Sequence, residues 1–213
     1  MPVHRAVIFA GGVLSDQFLN ELAPDDYIIG ADRGALFLVK NGIIPDLAVG
    51  DFDSITAEDF KLIQDKCERV ISCDAVDKDL TDSELALDLA LEEQPEEILL
   101  LGVTGTRIDQ TLACIQMMTR PLQRQIRCAA MDLHNYITLT GTQALVQDRG
   151  YEYVSLLPIT PEVTGITLQG FQYPLQGATL KLGMSLAVSN RLIAPTGTVT
   201  IESGLLLIIQ SRD

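Results

Sequence analysis

The stretch Ala48-Val49-Gly50-Asp51-Phe52-Asp53-Ser54 passes from an apolar run into two carboxylates spaced two residues apart. Such a run, closed by Gly and Asp, reads as a strand that ends in a turn. In an extended chain Asp51 and Asp53 would face opposite ways. A turn brings both toward the crevice at the carboxyl edge of a parallel sheet, where open α/β folds bind their ligands. Hard carboxylate oxygens there suit Mg²⁺, which takes one or two protein carboxylates, waters and substrate phosphates. The plainer reading keeps them as turn-forming, helix-capping aspartates.

Outward from this stretch, β-rich runs alternate with helix-period segments as far as about residue 130, the signature of a parallel sheet with crossover helices. Strands are read near 4–10, 26–32, 46–51, 68–73, 97–102 and 126–131. Between them, Ser15 precedes Phe18, Leu19 and Leu22, and Thr81-Asp82-Ser83-Glu84 reads as a capping box before Leu85, Leu89 and Ala90. Ile108, Leu112 and Ile115 share one helical face. The acidic stripe Glu84, Asp88, Glu92, at i, i+4 and i+8, reads as solvated surface.

From about residue 134 the texture becomes extended and turn-punctuated. Strands are read at Tyr136 to Leu139, Tyr153 to Leu157, Thr164 to Leu168 and Thr198 to Ile201, with frequent Gly and Pro between them and no helix. The expected plan is therefore α/β: a Rossmann-like parallel-sheet domain over 1–132, followed by a small all-β sandwich domain over 133–213. No low-complexity linker separates the halves and no repeat of 20 to 50 residues is present.

With 213 residues the chain can bury a sizeable core without disulfide or metal staples. Its formal charge of −14 opposes non-specific binding to nucleic acid or anionic membranes and suits cationic partners. Apolar runs such as Leu205 to Ile209 are far too short to span a bilayer, and Ala6 to Ala10 leads straight into Gly11-Gly12, so the start reads as a strand and not a secretion signal. Cys67, Cys73, Cys114 and Cys128 lack CxxC spacing and have only His4 and His134 as possible nitrogen co-ligands. They read as reduced thiols of a cytoplasmic protein.

The other chemistry-bearing segments also fall at strand ends. Asp77-Lys78-Asp79-Leu80-Thr81-Asp82 opens a helix, where amides and the helix dipole favour anions, although Thr81 and Asp82 also read as capping residues. Gly102-Val103-Thr104-Gly105-Thr106-Arg107-Ile108-Asp109 joins small residues, which let amides approach a phosphate, to a guanidinium that can bind one bidentately. Gly11-Gly12 and Gly30-Ala31-Asp32-Arg33-Gly34 complete the row. Neither GxGxxG nor GxxxxGK[ST] is present. Gly183-Met184-Ser185-Leu186-Ala187 falls short of a nucleophile elbow, and Asp51-Phe52-Asp53-Ser54-Ile55 resembles the first motif of haloacid dehalogenase-type phosphatases but follows the third strand and not the first.

Together Gly30-Ala31-Asp32-Arg33-Gly34, Pro45 to Ser54, Lys78-Asp79-Leu80-Thr81-Asp82, Thr104 to Asp109 and Ser189-Asn190 resemble thiamine pyrophosphokinase, in order and nearly end to end. The chain departs from the bacterial pattern of that family at Thr106, Gln110 and Cys114. The resemblance implies transfer of pyrophosphate from ATP to the thiamine hydroxyl, with Mg²⁺ as cofactor. It implies metal binding by Asp51, Asp53 and Asp82 supported by Asp79, and phosphate contacts from Lys78 and Arg107. Gly11, Gly12, Asp32, Arg33, Thr81, Thr104 and Gly105 would complete the nucleotide site, with Asp109 or a metal-bound carboxylate orienting the hydroxyl proton. Ser189 and Asn190 would contact the aminopyrimidine, in a pocket shared between two subunits of a homodimer. Without the resemblance, Ser189-Asn190 reads as a turn before Arg191. Two other classes remain open at this point: a Mg²⁺-dependent phosphohydrolase using Asp51 and Asp53, and a non-catalytic thiamine or nucleotide sensor.

Overall fold

A computed structural model describes residues 3–72 and 80–213. The chain divides into two compact units, Met1–Leu133 and His134–Asp213.

In the first unit strands β1 (Arg5–Phe9), β2 (Tyr27–Ala31), β3 (Leu47–Gly50), β4 (Val70–Ser72), β5 (Glu97–Leu101) and β6 (Arg127–Met131) alternate with helices. The helices are α1 (Arg33–Lys40), α2 (Ala57–Lys66), α3 (Asp82–Glu92), α4 (Ile108–Met117) and α5 (Thr119–Gln123). All neighbouring strands are parallel, in the order β4-β3-β2-β1-β5-β6. The chain winds outward from β1 to β4, then returns to the other side of β1. That reversal between β1 and β5 creates the crevice in which open α/β sheets take ligands. The central strands are apolar on both faces because helices cover both, and Ala6 to Phe9 and Ile98 to Leu101 are almost wholly buried.

Three local readings need correction. The segment after β1 is a single stretch of 3-10 helix, Asp16–Glu21, in which only Phe18 is buried. Thr81 caps α3, its hydroxyl accepting the Glu84 amide at 3.2 Å. The Glu84 carboxylate, however, turns to Arg120, which also donates to Asp88 at 2.8 Å. One guanidinium from α5 thus spans two members of the acidic stripe, which is why Glu84 and Asp88 are paired and not simply solvated. Helix α4 forms as expected but presents a different face. Ile108 and Leu112 are 70% and 53% exposed, while Cys114 is buried.

The second unit is a sandwich of two antiparallel sheets. One holds β7 (Asn135–Thr140), β13 (Leu206–Ser211) and β9 (Tyr153–Pro158), in the order β7-β13-β9. The other runs β11 (Ala178–Lys181), β10 (Glu162–Gln169), β12 (Thr196–Thr200) and β8 (Gln143–Gln147). Leu156, Leu206 and Ile208 from the first sheet meet Val146, Leu168, Leu180 and Val199 from the second. Among the described residues this unit has no helix, and neither unit has a helix long and apolar enough to cross a membrane.

The start of β1 is tied down by one charged pair. Arg5 donates from Nε and Nη2 to the two carboxylate oxygens of Asp26 at 2.7 and 2.6 Å, and from Nη2 to the Glu21 carbonyl. The Asp26 side chain is only 2% exposed. Removing Arg5 strands a buried charge, so Arg5→Ala should lower unfolding free energy by about 3 kcal/mol. Urea denaturation would measure this, and Arg5→Lys should recover only part because an ammonium cannot form the fork.

Candidate active site

A cleft of about 690 Å³ opens at the carboxyl ends of the first unit's strands. Gly11, Gly12 and Val13 enter it after β1, Asp32 and Arg33 after β2, and Asp51, Asp53 and Ser54 after β3. Leu80 to Ser83 contribute the start of α3, and Gly102 to Arg107 the loop after β5. Its size matches a bound small molecule. Parallel pairing produces this convergence, since every strand points its last residues the same way.

Backbone strain settles how the two carboxylates of the β3 turn share one side. Phe52 adopts φ 55°, a left-handed conformation costly for a bulky side chain. What holds it there is its ring, 5% exposed, packed at 4.7 Å from Phe60 in a cluster with Ala35, Ala48 and Ile63. With the middle residue anchored inward, the flanking Asp51 and Asp53 both reach the cleft, and Asp51 Oδ1 accepts the Asp53 amide at 3.1 Å. The nearby negative charge of Asp51 raises the Asp53 pKa above the usual carboxylate value. Asp32, also left-handed at φ 50°, is 8% exposed; burial pushes its pKa up, against hydrogen bonds from Ser54 and the Arg33 amide, with Asp82 and Asp51 adding repulsion. Gly50, at φ 145°, lets these groups crowd the chain: a Cβ there would stand 3.2 Å from Asp82 Oδ1 and 3.3 Å from the Asp32 nitrogen.

The opposite wall is stitched through its backbone. Gly12 donates its amide to the Gly102 carbonyl at 2.7 Å, and Val13 to that of Thr104 at 2.9 Å. A Cβ on Gly12 would lie 2.4 Å from both carbonyl oxygens. Gly12 therefore serves loop-to-loop approach, and its N–H is already used. Thr104 donates its hydroxyl to Asp132 at 2.9 Å. Arg107 lines the cleft but makes two hydrogen bonds to Asp109, at 3.2 and 2.6 Å; this contact lowers the Asp109 pKa and raises that of Arg107. On α4, Gln110, Ala113, Cys114 and Met117 fall at i, i+3, i+4 and i+7 and form the inward face, which leaves Ile108 and Leu112 outside.

The cleft gathers Gly11, Gly12, Asp32, Arg33, Asp51, Asp53, Thr81, Asp82, Thr104, Gly105 and Arg107. Asp109 is held at its rim through Arg107. Lys78 and Asp79 lie outside the described residues. Ser189 and Asn190 belong to the second unit. Ser189 is exposed, with φ 59°, and its amide donates to Ser155 Oγ at 3.0 Å. Asn190 is 3% exposed; its Oδ1 accepts from the Tyr173 and Arg191 amides and its Nδ2 donates to the Tyr173 carbonyl. Most of that amide is occupied in holding the loop. Sequence reading had not singled out Ser54 or Asp132 as side-chain partners. Ser54 stood within the quoted motif, while Asp132, one residue past β6, carried only its place at a strand end as a signal.

The donor set fits a divalent cation. Among the described residues Asp32 Oδ1 is buried and has no hydrogen-bond partner, and Asp32, Asp51, Asp53 and Asp82 carry charges that repel one another. Among the described residues no three His, Cys, Asp or Glu side chains stand close enough together to hold a metal ion by themselves. An open carboxylate edge is what Mg²⁺ requires when waters and phosphates complete its shell.

Comparison with known proteins agrees with this layout. Residues 18–130 match the family model described as thiamin pyrophosphokinase, catalytic domain, and residues 142–206 match thiamin pyrophosphokinase, vitamin B1 binding domain. The chain is 38% identical over 187 residues to the thiamine pyrophosphokinase of Bacillus subtilis, with 87% of each chain covered. Among solved structures, thiamine pyrophosphokinase from Bacillus subtilis superposes with TM-score 0.91 at 35% identity, covering 98% of this chain and 99% of that one. The Geobacillus thermodenitrificans protein gives 0.88 at 34%, covering 98% of each chain. The Candida albicans enzyme, at 17% identity, shares the fold with TM-score 0.80 over 98% of this chain and 89% of its own.

Two measurements probe the site's construction. Phe52→Ala should cost about 3–5 kcal/mol in chemical denaturation through the lost ring contacts. The second concerns Cys114, whose thiol pKa burial pushes up from 9.0 to about 12. The unfolded chain releases that proton first, so stability should fall as pH rises from about 9 toward 12, by about 1.4 kcal/mol per pH unit from this group. Urea titrations at pH 9 to 11 should show a shallower decline for Cys114→Ala than for the native protein.

Proposed function

The chain belongs to the thiamine pyrophosphokinase family, and on that footing we propose that it transfers the pyrophosphoryl group of ATP to the hydroxyl of thiamine. The products are thiamine diphosphate and AMP. The observation that carries this reading is a single cleft holding Asp32, Asp51, Asp53 and Asp82 together with the loop Thr104-Gly105-Thr106-Arg107.

Thiamine's hydroxyl oxygen attacks the β-phosphorus of ATP as the bond to the AMP oxygen breaks. Such a transfer depends on alignment and charge neutralisation more than on covalent catalysis. Asp51, Asp53 and Asp82 would hold Mg²⁺, with Asp79 supporting them; bound there, the ion supplies neutralisation of the phosphate charge. Arg107 and Lys78 steady the phosphates, while Gly11, Gly12, Asp32, Arg33, Thr81, Thr104 and Gly105 shape the nucleotide pocket. Arg107 must exchange Asp109 for phosphate, and because that ion pair is exposed the exchange costs little. Asp109, once released, or a cluster carboxylate takes or orients the hydroxyl proton.

The acidic field of a chain with charge −14 favours the thiazolium cation of thiamine. The second unit supplies the aminopyrimidine contact, with Ser189 and the remaining N–H of Asn190 as the available groups. The working assembly is a homodimer with shared sites. The cytoplasm, which keeps thiols reduced, suits the free Cys67, Cys114 and Cys128.

Nucleotide chromatography after incubation with ATP, Mg²⁺ and thiamine tests the reaction. AMP and thiamine diphosphate should appear together and only when thiamine is present. Asp53→Asn, at an exposed position, should keep the fold and lower kcat/KM about a hundredfold or more. Inorganic phosphate released without thiamine would replace this reading with a phosphohydrolase, and binding without turnover would replace it with a sensor.

A further inference from the structure

Within the cleft, Asp32 has two unlike oxygens. Ser54 Oγ donates to Oδ2. Oδ1 is buried and accepts nothing from the described residues. A buried carboxylate oxygen with no donor is costly, so native proteins rarely keep one without purpose. Among the described residues its charged neighbours are Asp82 and Asp51, which as carboxylates offer no hydrogen to it. The backbone at Asp32 is strained as well, at φ 50° and ψ −117°. Strain and an unmet acceptor on one residue, in the wall of a cleft, mark a group held ready for a ligand. The ligand that four adjacent carboxylates call for is a cation.

We propose that Ser54 is a positioning residue, whose hydroxyl fixes the Asp32 carboxylate through Oδ2 and so reserves Oδ1 for the divalent ion of the cleft. This rests on the cation binding proposed above. The logic is that of an outer hydrogen-bond partner orienting a metal ligand, where losing the partner weakens the metal tenfold to a hundredfold. Without Ser54 the carboxylate keeps only the Arg33 amide contact, and its oxygens are less firmly held toward the ion. Ser54 itself is exposed, so its truncation leaves no cavity in the core.

The probe is Mn²⁺ alone, titrated into the full-length protein and followed by the electron paramagnetic resonance signal of the free ion. Thermal midpoints are recorded without metal for each variant. Ser54→Ala should bind Mn²⁺ about tenfold more weakly, with a modest fall in the metal-free midpoint because the buried Asp32 carboxylate loses a donor. Ser54→Thr, which keeps the hydroxyl, should bind close to native, and Asp32→Asn should lose at least as much as Ser54→Ala. The Mg²⁺ concentration giving half-maximal activity should rise in Ser54→Ala by the same factor. Native affinity in Ser54→Ala overturns the proposal, as does an equal loss in Ser54→Ala and Ser54→Thr with lowered metal-free midpoints, which marks a structural role. Failure of the native protein to bind Mn²⁺ removes the cation reading itself, an outcome distinct from failure of the Ser54 assignment alone.

Discussion

Like charges resist being collected, and the first unit is built around collecting them. Asp32, Asp51, Asp53 and Asp82 come from three separate strand-to-helix junctions and share one cleft. Their repulsion is visible in the raised pKa of Asp53, whose first cause is Asp51. Apolar contacts oppose it. The buried ring of Phe52 fixes one junction, the Thr81 cap another, and the strands behind them are sealed on both faces. The core therefore does more than stabilise a fold, because it holds a charge distribution that would relax apart in a looser chain. A bound cation then gains from repulsion already present before it arrives.

The outline of the first unit was legible because its strands and helices differ in period and its motifs sit at their borders. The ends of β1 to β6 each lie within a residue or two of the expected positions. What sequence could not convey was direction. Ile108, Leu112 and Ile115 have helical spacing, yet Gln110, Ala113, Cys114 and Met117 form the inward face of α4. Both faces carry apolar residues, so periodicity alone does not choose between them. Glu84 illustrates a different limit. The capping box is a local pattern, whereas the partner that takes the carboxylate, Arg120, stands 36 residues away.

The second unit shows where alternation fails as a signal. Four of its strands were readable. The central β13 was noted only as an apolar run, because Leu206, Leu207 and Ile208 are all buried and hide the period-two pattern. Strand β11, Ala178–Lys181, buries only Leu180 and so carries no apolar run to mark it. Site residues follow the same division. Spacing drew attention to Asp51 and Asp53, and Asp82 gained a metal role only through the resemblance, whereas the pairing of Ser54 with Asp32 crosses 22 residues and needed coordinates. Asn190 stood out by resemblance, but only the structure shows its amide holding Tyr173 and Arg191 in place.

The backbone stitch between Gly12 and Gly102, and between Val13 and Thr104, joins the two loops that flank the sheet's reversal point. Because main-chain atoms make the joint, side-chain substitution cannot loosen it, apart from replacement of the glycine itself. The loops consequently behave as one rigid jaw, and a ligand that docks there spends little entropy on ordering them. Selectivity here is a matter of furnishing a fixed frame.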